Sequence, residues 1–178
     1  AGAQAGAAEE LCPQPVDPCL RTTLMLRNLP DRFSRELLVD FLARAGFRAG
    51  HEVDFVYYPI RFSTGVGFGY AIVNFERPAL AQRAWSHLDG AGASDEEPDR
   101  RIEVNWAKRS SEKALGGLPD CIAQYRNSPI MHPSVPDLYK PALFYQGRRV
   151  AFPEPTEPLT CPKVPRDWTF TNPSEVES

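Results

Sequence analysis

The sequence predicts an α+β domain in which four short strands alternate with two amphipathic helices. Apolar residues recur at every second position in four segments, and at every third or fourth position in two others. Glycine and proline stand at the borders of these segments, where strands and helices usually end. In chain order the segments read β-α-β-β-α-β.

The four predicted strands are rich in branched and aromatic residues, as strands usually are. In the first, Leu24 and Leu26 point to one face while Met25 and Arg27 point to the other. In the strand written VGFGYAIVNF, Tyr70 and Ala71 likewise face opposite sides. The predicted strands are residues 21–27, 53–58, 66–75 and 102–107.

The two predicted helices have recognisable ends. Ser34 is a good N-cap for the first, and Gly46 ends it; Pro78 fits the first turn of the second, and Gly90 ends it. The apolar stripes are Leu37, Leu38, Phe41 and Leu42 in the first helix, and Leu80, Ala84, Trp85 and Leu88 in the second.

This order of elements is that of the split, ferredoxin-like unit, an antiparallel four-stranded sheet with both helices on one face. The inner layer should therefore be buried beneath the helices, and the opposite face should be open. The predicted inner layer is Leu24, Leu26, Ala71, Val73, Ile102 and Val104, beneath Leu38, Phe41, Leu42, Ala84 and Leu88. Because this fold hosts many unrelated functions, it does not name one.

Composition favours an intracellular protein without a membrane span, cofactor or metal site. The chain has 178 residues, is 42% apolar, and contains no apolar run long enough to cross a bilayer. Its four cysteines form no C-x-x-C pair, and its three histidines lie near none of them. The net charge of −3 argues against a broad basic surface, so any binding of nucleic acid needs local contacts.

The segments that flank the domain differ from it in composition. Residues 1–20 are rich in Ala, Gly and Pro and are predicted to be a disordered lead-in to a domain at 21–109. Residues 110–152 are predicted to be an extension packed on the domain, with a helix from about Leu118 and then extended chain. Residues 153–178 are predicted to be a disordered tail.

Several separated motifs resemble one family of RNA-recognition motifs. The segments RTTLMLRNLP at 21–30, DFVYYPI at 54–60 and GYAIVNF at 69–75 resemble the C-terminal RNA-recognition motif of the Mei-two-like regulators of meiosis and development. IAQYRNSPIM at 122–131 and KPALF at 140–144 resemble the extension typical of that family. The resemblance implies binding of RNA, a role in post-transcriptional regulation and no enzymatic activity.

The chain departs from a fully equipped motif at its stacking positions. Such motifs carry aromatic rings at three places on the sheet, which here are Met25, Tyr70 and Ile72, and a cation at the place of Phe68. We expect single-stranded RNA to be bound by the sheet face and by flanking polar and basic residues. The candidates are Met25, Arg27, Tyr57, Tyr58, Phe68, Tyr70, Ile72, Asn105, Lys108 and Arg109.

Two interpretations remain open at this point. The first is the RNA-binding module; the second is a protein-interaction module whose apolar sheet face, with Met25, Phe68 and Ile72, docks a peptide or the chain's own tail. The sequence fits Phe68 and Tyr70 equally well as stacking rings and as core residues beneath a C-terminal helix. It likewise fits Lys108 and Arg109 equally well as RNA contacts and as solvated surface charges. Whether the compartment is nuclear or cytoplasmic is not decided by the sequence.

Overall fold

A computed structural model describes residues 20–109 and 116–164. In that part of the chain, two 3₁₀ turns, Pro129–Met131 and Asp137–Tyr139, lie between the third helix and the fifth strand. The regular elements are β1 (Thr23–Arg27), α1 (Arg35–Arg44), β2 (Val53–Tyr57), β3 (Ala71–Phe75), α2 (Pro78–Leu88), β4 (Glu103–Trp106), α3 (Leu118–Tyr125), β5 (Ala142–Tyr145) and β6 (Arg148–Val150).

The strands form one antiparallel sheet in the order β4-β1-β3-β2-β5-β6. The predicted ferredoxin-like order is confirmed for the first four strands and two helices. The third strand is shorter than predicted and begins at Ala71 instead of Val66, because the backbone turns away at Gly69, where φ is +81°. The Gly69 carbonyl instead accepts a hydrogen bond from the Leu29 amide.

The main core lies between the sheet and the first two helices. The predicted inner layer is confirmed, since Leu24, Leu26, Ala71 and Val73 are fully buried, with Ile102 and Val104 beside them. The helix ends are also as predicted: the Ser34 side chain accepts a hydrogen bond from the Leu37 amide, and Pro78 begins α2. The apolar stripe of α1 is narrower than predicted, because the Leu37 side chain is 47% exposed.

The opposite face of the sheet is not open as predicted, because α3 packs against its centre. A second core lies there, formed by Phe55, Ile72, Ala107, Cys121 and Leu143. Its helix begins after Gly117, whose φ of +95° favours glycine, and Pro119 occupies the first turn.

After α3 the chain adds a β-hairpin to the sheet, where the sequence predicted only extended chain. Strand β5 pairs with β2, and β6 pairs with β5. A buried guanidinium holds this segment to α1: Arg35 donates to the carbonyl oxygens of Asp137 and Lys140 at 2.8 Å each, and forms an ion pair with the Asp137 carboxylate. The segment after α3 therefore contacts both β2 of the sheet and α1.

The predicted terminal segments fall mainly outside the described residues. The lead-in at 1–20 lies outside them except for Leu20, and so does the tail from residue 165 onward. The described part of the tail is hydrogen-bonded to the end of α3, since Arg126 donates to the Glu154 carbonyl and Asn127 accepts from the Thr156 amide. Glu154 and Thr156 are thus held beside the end of α3.

Candidate nucleic-acid interface

A β-bulge in β2 decides which side chains face α3. The pairing of β2 with β3 shifts between Val53 and Phe55, so these two residues point to opposite faces although they are two positions apart. Phe55 and Tyr57 consequently lie on the α3 side of the sheet, together with Ile72 of β3. The bulge gives this face an aromatic centre.

The rings of β2 are covered by an aromatic residue from α3. The Tyr125 ring stacks on Phe55 with centroids 5.7 Å apart and meets Tyr57 at 4.7 Å. Burial raises the pKa of both tyrosine hydroxyls above the ordinary range. Because Ile72 is also buried beneath this layer, a base cannot reach the centre of the sheet without displacing α3.

One end of the same face is left uncovered. We call this end the open ledge and define it by Arg27, Phe68, Tyr70 and Asn105. Phe68 is 50% exposed, Tyr70 is half-buried, and Arg27 and Asn105 are exposed. The Phe68 and Tyr70 rings lie 6.5 Å apart between centroids, so they form a continuous aromatic surface.

Positive charge lies beside the rings of the open ledge. The Arg61 guanidinium is placed over the Phe68 ring, 4.9 Å from its centroid, because the loop after β2 folds back through a bridge between Ile60 and Gly67. On the other side Arg27 stands opposite Glu103 of β4. A shallow groove of about 410 Å³ lies between Arg27, the Asn28 turn and the two rings, and Asp31, Arg100 and Glu103 also line it. Arginine together with one exposed and one half-buried ring suits an unpaired base with its phosphate.

A buried polar network lies beneath the other end of α3. Thr22 and Thr23 donate to the Asn74 side-chain oxygen at 2.8 and 2.7 Å, and the Asn74 amide donates to the Asp54 carboxylate at 2.7 Å. Burial raises the pKa of Asp54 to about 6, although its hydrogen bond with Asn74 opposes the rise. Cys121 of α3 approaches Thr23 at 3.9 Å, so the network also contacts the covering helix.

The described residues offer neither a membrane span nor a metal site. None of the helices at 20–109 and 116–164 is long and apolar enough to cross a bilayer. In the same ranges, no group of three or more His, Cys, Asp or Glu side chains is arranged to hold a metal ion.

Comparison with protein families decides the identity of the domain. The family described as RNA recognition motif 2 matches residues 21–114, which is more than half of the chain. The chain belongs to this family. This match confirms the predicted RNA recognition motif, and relatives named MEI2-like confirm the predicted resemblance to Mei-two-like proteins.

Known relatives share the motif at low identity. The chain is 28% identical over 112 residues to Protein MEI2-like 3 of Arabidopsis thaliana, a match that covers 63% of this chain and 14% of the relative. It is 25% identical over 140 residues to Meiosis protein mei2 of Schizosaccharomyces pombe, covering 76% and 17%. The chain therefore spans less than a fifth of the length of these relatives.

Among solved structures, the second RRM domain of yeast poly(U)-binding protein is 20% identical to the chain. That likeness covers 51% of this chain and 99% of the other, with a TM-score of 0.41.

The RNA recognition motif brings only some of the predicted site residues together. Arg27, Phe68, Tyr70 and Asn105 meet on the open ledge. Met25, Tyr57 and Ile72 lie on the same face but border or belong to the core beneath α3, which Tyr70 also borders. Lys108 and Arg109 are exposed just after β4, at the end of the sheet where β1 begins, which is opposite the ledge.

One predicted site residue is not on the sheet face. Tyr58 is buried in the main core, where its hydroxyl donates to the Pro30 carbonyl at 3.2 Å. Burial raises the pKa of this hydroxyl to about 12. Alternation along β2 places Tyr57 on the α3 side and Tyr58 on the other, so Tyr58 is unavailable to stack a base.

Sequence reasoning missed two contributors to this face of the motif, Phe55 and Arg61, and left open which surface a third, Tyr125, would cover. Phe55 was not predicted on it because a bulge leaves no clear pattern in a strand of five residues. Arg61 lies in a loop whose path the sequence does not define. Tyr125 occupies one face of an amphipathic helix, and that signal predicts burial without naming the surface that is covered.

Proposed function

We propose that this RNA recognition motif binds single-stranded RNA on the open ledge, with α3 as a wall along one side. The observation that carries the proposal is the exposed Phe68 ring beside the half-buried Tyr70 ring, flanked by Arg27 and Arg61 at the end that α3 leaves uncovered. In a longer protein, such binding would serve post-transcriptional regulation.

Each group on the ledge has a distinct role in this proposal. A base stacks on Tyr70, and a second base contacts Phe68, since each stack contributes about 1–3 kcal/mol. Arg27 and Arg61 contact phosphates, and the Asn105 amide donates to or accepts from a base edge. Arg61 thus supplies the positive charge that the motif lacks at Phe68.

The covered centre of the face favours a second candidate, a protein-interaction module. The chain's own helix already fills the space above Ile72 and Phe55, so fewer bases can stack than on an uncovered sheet. The exposed Phe68 ring could then contact an apolar side chain of a partner. RNA affinities of variants on the open ledge separate the two candidates.

The test measures RNA affinity of Tyr70→Ala and Arg27→Ala by fluorescence anisotropy at several salt concentrations. Tyr70→Ala should lose about 1–3 kcal/mol of binding free energy with an unchanged salt slope. Arg27→Ala should reduce the slope of log affinity against log salt by about 0.7, because one phosphate contact is lost.

Arg44→Ala is the matched control, since Arg44 is exposed near the end of α1 on the helical side of the sheet. It should leave both affinity and salt slope unchanged. Thermal melts establish that each variant is folded. If folded Tyr70→Ala and Arg27→Ala bind RNA like the wild type, the ledge is not the RNA site and the protein-interaction candidate is favoured.

A further inference from the structure

The hairpin formed by β5 and β6 extends the α3 side of the sheet by two strands. Leu143 pairs with Phe55 and shares its core beneath α3, so Tyr145, two residues later, points to the same side. Arg148 lies directly opposite Tyr145 across the hairpin. The Tyr145 side chain is 62% exposed, in contrast to Leu143, which is buried.

The position of Tyr145 is fixed by the turn and its support. Gln146 and Gly147 have φ of +48° and +73°, as a two-residue type I′ turn requires. The Gly147 amide donates to the Gly50 carbonyl at 3.2 Å, and these two backbones are so close that a Cβ on Gly50 would overlap Gly147. The ring is therefore held by a supported hairpin and needs little ordering before it can stack.

Arg148 differs from its basic neighbours in having no acidic partner among the described residues. Arg48 pairs with Glu52 at 3.0 Å, and Arg149 pairs with Asp137 at 2.6 Å on the helical side. No ion pair to Arg148 forms within residues 20–109 and 116–164. An exposed ring beside an unpaired guanidinium offers the stacking surface and the cation that one nucleotide uses.

An exposed tyrosine and an edge arginine are each ordinary surface features. What distinguishes them here is that they are opposite each other, on a supported hairpin and on the same side as the open ledge. Tyr145 lies level with Phe75 of β3, five residues from Tyr70, so the ledge and the hairpin ring are about 17 Å apart along the strands at about 3.3 Å per residue. Helix α3 stands between them.

We propose that Tyr145 and Arg148 form a second nucleotide-binding site, occupied by the same RNA strand after it passes α3. A base stacks on Tyr145 and its phosphate is bound by Arg148. This proposal rests on the proposed function, because the strand is first held on the open ledge. It implies that affinity depends on RNA length, since a short oligonucleotide reaches only one of the two places.

The experiment compares a mixed-sequence tetranucleotide with a mixed-sequence dodecanucleotide, both fluorescein-labelled, on wild type, Tyr145→Ala, Tyr145→Phe and Arg148→Ala. For the longer RNA, Tyr145→Ala should weaken binding roughly 5- to 150-fold, while Tyr145→Phe retains most of the affinity. Arg148→Ala should weaken the longer RNA and reduce its salt slope. For the tetranucleotide, all three variants should match the wild type.

Two results would overturn the second site while leaving the proposed function intact. In the first, the dodecanucleotide binds Tyr145→Ala like the wild type, while Tyr70→Ala loses affinity. In the second, Tyr145→Ala weakens the tetranucleotide as much as the dodecanucleotide, which would mean an indirect effect on the ledge. If the wild type binds neither RNA, the proposed function and the second site both fail. Thermal melts check folding, which these exposed positions should not affect.

Discussion

Replacing Tyr125 by alanine tests whether α3 is firmly packed on the sheet. This ring is the one that stacks on Phe55 and meets Tyr57, so the substitution removes the aromatic contact between α3 and β2. The helix itself should tolerate the change, because alanine has the highest helix propensity. Any loss of stability therefore reports on the packing of α3.

The expected loss is about 3 kcal/mol of the free energy of unfolding. Truncation of a buried aromatic residue to alanine costs about 3–5 kcal/mol, and Tyr125 is partly exposed, which places it at the low end. Two aromatic pairs are lost, each contributing about 0.5–1.5 kcal/mol beyond burial. These pair contributions alone amount to about 1–3 kcal/mol, which is consistent with the first figure.

Equilibrium unfolding in urea measures this loss, with Tyr145→Ala as the matched control. Tyr145 is mostly exposed, so its truncation should change the free energy of unfolding by no more than about 0.5 kcal/mol. If Tyr125→Ala is as mild as Tyr145→Ala, α3 does not stabilise the domain, and the covered centre of the sheet would have to be reconsidered.

Two further predictions concern buried charge. Arg35→Met should lower the free energy of unfolding in urea by about 3–5 kcal/mol, because two backbone carbonyls and the Asp137 carboxylate lose their buried partner. Arg149→Met is the control. It removes a more exposed partner of Asp137 and should lower the free energy of unfolding by about 1 kcal/mol or less. A loss below about 1 kcal/mol for Arg35→Met would contradict the inference that the Arg35 guanidinium holds residues 137–140 to α1. For Asp54, burial raises the folded-state pKa to about 6, so the free energy of unfolding should fall as pH rises from about 4 to about 6. Asp54→Asn should remove this dependence of the free energy of unfolding on pH between about 4 and about 6. The depressed pKa of Asp137 affects stability only at lower pH. An unchanged pH dependence in Asp54→Asn would contradict the raised pKa of Asp54.

The main core was predictable because its pattern is repeated in several elements. Period-two alternation in β1 and β3 and the stripes in α1 and α2 all place apolar side chains toward one layer, so each pattern supports the others. The third strand was predicted too long because Phe68 and Tyr70 continue the alternation. The backbone nevertheless leaves the β-ladder at Gly69, where φ is positive. Glycine permits a positive φ but does not require it, so the sequence does not predict this break.

The extension was less predictable because its structure depends on long-range contacts. Strand β5 is only four residues long and follows proline-rich chain, so its pattern does not separate a strand from an extended loop. Its turn places Gln146 at a positive φ, where asparagine or glycine would have been a clearer signal. On the site, alternation placed Tyr70 correctly on the α3 side. It could not show that α3 would cover Ile72 and leave Phe68 exposed.

The pairing of β5 with β2 also bears on aggregation. In a four-stranded motif β2 would be an edge, and its backbone between Val53 and Tyr57 would offer unpaired amides and carbonyls beside apolar side chains. Here β5 occupies that edge, and the new border is β6, which has only three residues, two of them arginine. Short, charged edges resist intermolecular strand pairing. A fragment that stops at the end of β4 would therefore expose the edge of β2, which is prone to intermolecular strand pairing and which β5 covers in the intact domain.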